Sequence, residues 1–354
     1  CIRDRHNHWP VLWAKCNYEA VKESGKLGDV VYFMRAGGAG SQKYCTLLWA
    51  GDQSVDFTIH DGLASVICGA LSAGMMGCGL THSDIGGYTS LFDNTRTKEL
   101  FLRWAEMAMF TPFMRTHEGN RPDTNFQYYD DEDTMERLAR LVDVYTMLAP
   151  YTKTLVEENA DSGHPVQRPL FMHYESDEKA YDIQYEYLFG RDMLIAPVYE
   201  QDKHEWDVYL PQDEWVHLWT GEEYHGGEIT VSAELGYTPA FYRKNSEFAD
   251  IFEETTALCN KPKKVSNWLI TETMRILKEK NMDPEDITFS PKSLARIIEL
   301  ADEGAINSNV AKEIFEKIFD EDIDPDKYIE ENGLKQVNDE GALKATVEKV
   351  IADN

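Results

Sequence analysis

The residues best suited to chemistry in this chain fall just past short apolar runs. Trp49-Ala50-Gly51-Asp52-Gln53 sets a carboxylate beyond such a run, beside an indole and a glycine. An aromatic, low-dielectric setting raises a carboxyl pKa, as a general acid working near neutral pH requires. An aspartate at a strand end equally serves to cap the next helix. Arg35 follows Val30-Val31-Tyr32-Phe33-Met34 and precedes a glycine-rich loop. Its planar fork of donors suits sugar hydroxyls, a catalytic carboxylate or a structural ion pair. His117, in Met114-Arg115-Thr116-His117-Glu118-Gly119-Asn120, reads either as a ligand or as a satisfied core histidine. Asp84 stands in His82-Ser83-Asp84-Ile85-Gly86-Gly87-Tyr88, where it could touch a substrate or brace the loop. Tyr88 lies beyond two glycines, in a loop placed to reach over a site. Each signal is weak alone; at the ends of successive apolar runs they point to one site.

The elements that must position these residues follow from the same runs. Segments 30–34, 46–50, 76–81 and 109–114 are continuous and apolar, the pattern of parallel strands covered on both faces. Between them, 61–73, 97–107 and 132–159 have helical spacing. Repeated strand–helix units with polar residues at strand ends point to an α/β fold and to a TIM barrel, whose active site sits at the C-terminal ends of its strands. Only four strands are legible, so residues 1–167 are expected to form the C-terminal half of a (β/α)8 barrel. Short strands at 192–198, 206–211, 215–219 and 228–231, separated by turn residues, predict a small β-sandwich over 168–247.

Composition shifts near residue 248: seven of the eight Trp lie before it, and Glu, Lys, Asp and Ile dominate after it. Apolar positions 265, 268, 269, 276 and 277, then 294, 297, 298 and 301, then 310, 314, 315, 318 and 319, and finally 343, 347 and 351 repeat at helical spacing. Ser290-Pro291 is a helix start, and Gly304, Pro325 and Gly333 mark breaks, so 248–354 is expected to be an all-α tail.

A formal net charge of −28 argues against general affinity for nucleic-acid phosphates or anionic membranes, and an anionic substrate would need locally arranged donors. No apolar run reaches the ~20 residues of a membrane span. The six Cys show no metal-ligand spacing and read as mostly buried free thiols suited to a reducing cytosol. Gly37-Gly38-Ala39-Gly40 lacks the spacing of a dinucleotide fingerprint, and no metal or cofactor is expected. The start, Cys1-Ile2-Arg3, has neither an initiator Met nor a signal-like segment, so Cys1 reads as an interior residue of a longer chain.

Four motifs occur in the order and spacing of glycoside hydrolase family 31: Phe33-Met34-Arg35-Ala36-Gly37, Trp49 to Gln53, Ser83 to Tyr88, and Phe110 to His117. With Trp13-Ala14-Lys15-Cys16-Asn17-Tyr18 and His117-Glu118-Gly119-Asn120-Arg121-Pro122, the stretch from about 8 to 247 resembles the sulfoquinovosidase branch of that family. The resemblance implies retaining hydrolysis of α-glycosides, most specifically α-sulfoquinovosides, through a covalent intermediate and two carboxylates. It implies Asp52 as general acid/base. Arg35, Trp49, Gln53, Asp84, Tyr88 and His117 form the expected substrate-binding set, with Tyr88 matching a tyrosine that helps hold the sulfonate. A neutral α-glucoside is the alternative substrate. The family's nucleophilic aspartate, in a Trp-Met-Ala-Asp-Phe-Gly-type motif, is not found here and is expected N-terminal to Cys1.

The tail carries a second resemblance. Ser266-Asn267-Trp268-Leu269, Ala311-Lys312-Glu313-Ile314-Phe315 and Gly333 to Glu340 are similar to the helical C-terminal region of the tRNA-binding component of the aspartyl/glutamyl-tRNA amidotransferase. A tRNA-associated interaction module is therefore the competing reading of the chain, and a solvated acidic bundle is the plainer one. Pieces resembling two unrelated enzymes suggest a fusion. Half a barrel exposes strand edges that invite self-association. Because an acid/base without its nucleophile cannot follow double displacement, the chain by itself is expected to be inactive. Assay of the isolated chain on an aryl α-sulfoquinovoside should give no turnover, and retaining hydrolysis would overturn this.

Overall fold

Leu47, Leu48 and Trp49 form a short strand, β1 (Leu47–Trp49), that pairs in parallel with β2 (Leu80–His82) in the register Leu47–Leu80, Leu48–Thr81 and Trp49–His82. This computed structural model describes residues 8–244, 246, 268, 276 and 289–334. Met34 makes a parallel bridge to Leu48 on the other side of β1. Further along, β3 (Asp84–Ile85) pairs in parallel with β4 (Arg115–Thr116). Parallel neighbours in chain order need crossover connections, and helices supply them. These are α1 (Trp9–Glu23), ahead of the first bridge, α2 (Leu63–Met75) between β1 and β2, and α3 (Lys98–Ala108) between β3 and β4.

The strands are shorter than the apolar runs suggested. Met76 caps α2, Gly77 turns at φ 91°, and pairing starts only at Leu80. Met109 likewise caps α3, and the strand there is Arg115–Thr116 rather than 109–114. In both cases a helix end continues the apolar run, and periodicity cannot separate that from a buried strand. Over 30–33 no strand forms, and Val31 is 77% exposed. The helical stretch 132–159 is two helices, α4 (Glu132–Met147) and α5 (Ala149–Ser162). They break at Leu148 because Pro150 has no amide hydrogen to continue the ladder.

The following residues form one six-stranded antiparallel sheet in the order β5 (Gln167–Arg168), β6 (Tyr187–Phe189), β7 (Met193–Ile195), β10 (Ala240–Arg243), β8 (Glu205–His217) and β9 (Glu223–Ser232). The turn expected at Pro211-Gln212-Asp213 is instead a register shift between Leu210 and Glu214 inside the single long strand β8. A bulge lets the chain accommodate the proline without leaving the sheet.

Helix α3 joins the parallel strands to this sheet. Every residue from Leu100 to Ala108 is buried, the pattern of a helix enclosed on all sides. Trp104 donates to Ser83 Oγ at 2.8 Å, and one apolar core runs from Leu63 and Phe101 to Phe189 and Ile195. Arg103 pairs with Glu106 at 3.1 Å, both side chains 1% exposed. Arg103 also donates to the carbonyls of Lys203 and Ala233, while Glu106 accepts from the Gly236 amide. Burial pushes the Glu106 carboxyl up, and the Arg103 charge opposes that shift.

The chain divides into two units, Cys1–Ser246 and Glu247–Asn354. In the second, α6 (Pro291–Asp302), α7 (Ser308–Asp320) and α8 (Pro325–Glu331) are described. Ser290 caps α6 through the Ser293 amide, and Pro291 and Pro325 start their helices. Leu294, Ile297, Ile298, Ile314, Phe315, Ile318 and Phe319 form their core, with Trp268 set edge-on to Phe315. Positions 265, 269, 277, 343, 347 and 351 lie outside the described residues. No described helix is long and apolar enough to cross a membrane.

Removing one member of a buried ion pair strands the other charge. Arg103→Met should therefore cost about 3–5 kcal/mol in chemical denaturation, with part recovered by adding Glu106→Gln. A loss below ~1 kcal/mol would show that the pair does not hold the helix to the sheet.

Candidate active site

The floor of the site is a carboxylate that water does not reach. Asp84 is 0% exposed, on the short strand β3. Its Oδ1 accepts from Trp49 Nε1 at 3.1 Å and from Arg115 Nη2. Burial pushes the Asp84 carboxyl up, against the pull of Arg115, His117 and the Trp49 hydrogen bond, while Asp52 adds to the rise. The Arg115 guanidinium lies over the rings of Phe33 and Trp49, at 5.4 and 5.7 Å from their centroids.

Trp49, held from below by Asp84, carries the next layer. The Arg35 guanidinium stands 5.1 Å from its ring centroid and pairs with Asp52 Oδ2 at 3.0 Å. Both charged groups are reachable from solvent, with side chains 60% and 29% exposed. Asp52 is therefore a half-exposed, ion-paired carboxylate, and the buried carboxyl with a raised pKa is Asp84. The backbone around Asp52 is fixed independently. Gly51 takes φ 96°, and Thr89 Oγ1 donates to the Asp52 carbonyl at 2.9 Å.

Gln53 faces inward. It is 7% exposed, its Nε2 donates to the Ala50 carbonyl at 2.7 Å, and its own carbonyl accepts from the Tyr88 and Thr89 amides. Its place is to tie the β1 end to the Tyr88 loop. Tyr88 and His117 form a second cluster, their rings edge-on at 4.9 Å and both half-buried. His117 Nδ1 accepts from the Gly119 amide at 3.2 Å, which leaves Nε2 as the protonated nitrogen of the neutral ring.

The structure thus brings Arg35, Trp49, Asp52 and Asp84 into one connected chain of contacts, with Tyr88 paired to His117 beside it. Reading the sequence missed Arg115 as the partner of Asp84, although it sits in the same motif as His117. It also missed His82, 3% exposed between the rings of Phe33 and Phe113 at 4.7 and 4.9 Å. Arg96 had no sequence signal, since it lies in a polar loop. Among the described residues no group of three or more His, Cys, Asp or Glu is placed to hold a metal ion. Of the described cysteines, Cys45 and Cys78 are buried, Cys68 is half-buried and Cys16 is exposed.

Comparison with known proteins matches this unit to two family descriptions. Residues 2–155 match the glycosyl hydrolases family 31 TIM-barrel domain, and 163–246 match the glycosyl hydrolase family 31 C-terminal domain. Residues 250–354 match the GatB domain. A sulfoquinovosidase of Escherichia coli is 58% identical over 247 residues, covering 70% of this chain and 36% of its own length. A solved family 31 sulfoquinovosidase from E. rectale, in complex with the aza-sugar inhibitor IFGSQ, is 99% identical with a TM-score of 0.69. That match covers 71% of this chain and 38% of that one. One component of the aspartyl/glutamyl-tRNA(Asn/Gln) amidotransferase of Agathobacter rectalis is 58% identical over 118 residues, 33% of this chain and 25% of the relative. The chain therefore spans little more than a third of the length of these relatives at most.

Burial among aromatic rings, with Arg115 adding to it, depresses the His82 pKa from 6.5 to about 4. The unfolded chain binds this proton first, so the stability held at neutral pH falls as pH drops from 6.5 through about 4. The loss should approach roughly 3 kcal/mol below the folded pKa. His82→Phe should flatten this acid limb in denaturant melts across that range; an unchanged slope would refute the assignment.

Proposed function

Residues 2–246 belong to glycoside hydrolase family 31, and on that premise we propose that they form the acid/base-bearing part of a retaining α-glycosidase specific for α-sulfoquinovosides. The bridge at Met34, β1, the continuous stretch β2–β3 and β4 are read as the last four strands of a (β/α)8 barrel spanning 1–167, the sheet at 168–247 as its C-terminal β domain, and 248–354 as a separate helical region.

One observation carries the reading. Asp52 stands at a strand end, half-exposed, and is oriented by Arg35, which itself rests on Trp49. In the first step Asp52 gives its proton to the departing glycosidic oxygen as a nucleophile attacks the anomeric carbon. In the second it takes a proton from the water that releases the sugar. Arg35, with an exposed fork of donors, steers the carboxylate and reaches the sugar hydroxyls. Trp49 supplies an apolar wall, and His117 offers Nε2–H to the sugar. Tyr88, beside His117, faces the sulfonate, which makes an anionic sugar a better fit than a neutral glucoside.

Asp84 is unsuited to the nucleophile's role, since it is fully buried and pinned by Trp49 and Arg115. The Gln53 backbone carbonyl holds the Tyr88 loop, while its side chain donates to the Ala50 carbonyl and lines the same cavity as Arg35 and Trp49. The nucleophile is assigned to the family's own aspartate, on a strand outside this sequence.

The test is hydrolysis of an aryl α-sulfoquinovoside beside the matching α-glucoside, using this chain joined to the four preceding strands of a family 31 enzyme. Turnover of the sulfonated substrate is expected, falling by at least about 100-fold in kcat with Asp52→Asn. Turnover of the glucoside alone would discard the sulfonate assignment, and turnover of neither would discard the glycosidase reading.

A further inference from the structure

Arg96 is a buried cation that the proposed chemistry leaves unused. It is 2% exposed. The buried arginines Arg103 and Arg168 each pair with a carboxylate, Glu106 and Glu158 respectively. Arg96 spends its donors on neutral oxygens instead. Its Nε donates to the Phe126 carbonyl at 2.8 Å, Nη1 to the His117 carbonyl at 2.7 Å, and Nη2 to Gln127 Oε1 at 2.8 Å. Longer bonds run from Nη1 to the carbonyls of Ile85 and Gly87 and from Nη2 to that of Glu118, at 3.3–3.4 Å.

Those acceptors belong to two separate loops. Ile85 and Gly87 lead into Tyr88, whereas His117 and Glu118 begin the loop that returns through Phe126 and Gln127. A single planar ion thus fixes the peptide before Tyr88 and the carbonyl of His117 itself. The loops are laced again on either side. The Asn120 amide donates to the Tyr88 carbonyl at 3.0 Å, and Asn125 Oδ1 accepts from the Arg96 amide at 3.0 Å and from Ser90 Oγ. Room for the arginine is made by glycine. A Cβ on Gly86, at φ 83°, would lie 2.4 Å from Arg96 Cδ.

We propose that Arg96 is a positioning residue that sets the mutual placement of Tyr88 and His117, and through it the preference of the site for an anionic sugar. The selectivity half of this rests on the function proposed above; the positioning half does not. Lysine cannot replace it, because one ammonium cannot reach oxygens spread around three sides of a planar guanidinium.

Histidine-selective NMR of the full 354-residue chain tests the positioning directly. Tyr88 sits edge-on to the His117 ring and shifts its ring protons, and Tyr88→Leu gives the unshifted reference. Arg96→Lys should move the His117 resonances at least about half-way to that reference while the other histidines keep their shifts. Gln127→Leu removes one acceptor of Arg96 together with the Nε2 bonds to the Glu118 and Pro122 carbonyls; it should move them in the same direction, and serves if Arg96→Lys does not fold. In the strand-completed enzyme, Arg96→Lys should raise KM for the sulfonated substrate about tenfold with kcat within about threefold, and should raise KM for the glucoside by a smaller factor. Unmoved His117 resonances in both variants would overturn the inference. Moved resonances with unaltered selectivity would overturn its second half. An inactive parent enzyme would count against the proposed function and leave the NMR result to decide Arg96.

Discussion

A fully buried carboxylate is costly unless its charge is met, and Asp84 meets that cost with two partners from different strand ends. Arg115 comes from β4 and Trp49 from β1, and both are held in fixed orientations because both answer the same carboxylate. Trp49 then becomes the surface on which Arg35 rests, and Arg35 is the group that holds Asp52. The position of the half-exposed acid thus traces, contact by contact, to one buried charge.

A second arrangement runs in parallel with this one. Tyr88 and His117 lie on loops, and loops need bracing to present side chains repeatably. Gly86 and Gly87 take φ values of 83° and 74°, and a Cβ on Gly87 would fall 2.8 Å from the Ser54 carbonyl. The chain can make this close approach only with glycine. Gln53 ties the same loop to the end of β1, so the two halves of the site share a backbone connection. Beneath them α3 binds the strand layer to the antiparallel sheet through Trp104 and the Arg103–Glu106 pair.

The charge distribution sharpens the substrate question. The chain carries a net −28, yet Arg35, Arg96 and Arg115 gather around the ends of three strands. Arg35 and Arg115 are paired with Asp52 and Asp84, so of these three it is Arg96 that faces neutral oxygens only. In the helical unit, too, described cations are paired with carboxylates. Arg296, for example, is committed to Asp326 at 2.6 Å and to Glu299 at 3.1 Å.

The sequence by itself determined the α/β character of the first unit, the helical nature of the tail, and the motifs that carry the family. These signals are local: apolar runs, the Ser290-Pro291 start, and short strings whose order survives without any fold. It did not determine where the strands begin, because a helix end and a buried strand present the same apolar run at 76–81 and 109–114. Nor did it separate the exposed Asp52 from the buried Asp84, two aspartates at strand ends with similar neighbours. Only the tertiary structure decided that, because burial and pairing depend on what arrives from distant strands. Arg115 reaches Asp84 across 31 positions, and Arg96 reaches the Phe126 carbonyl across 30. No window of sequence short enough to show a period is long enough to show those contacts.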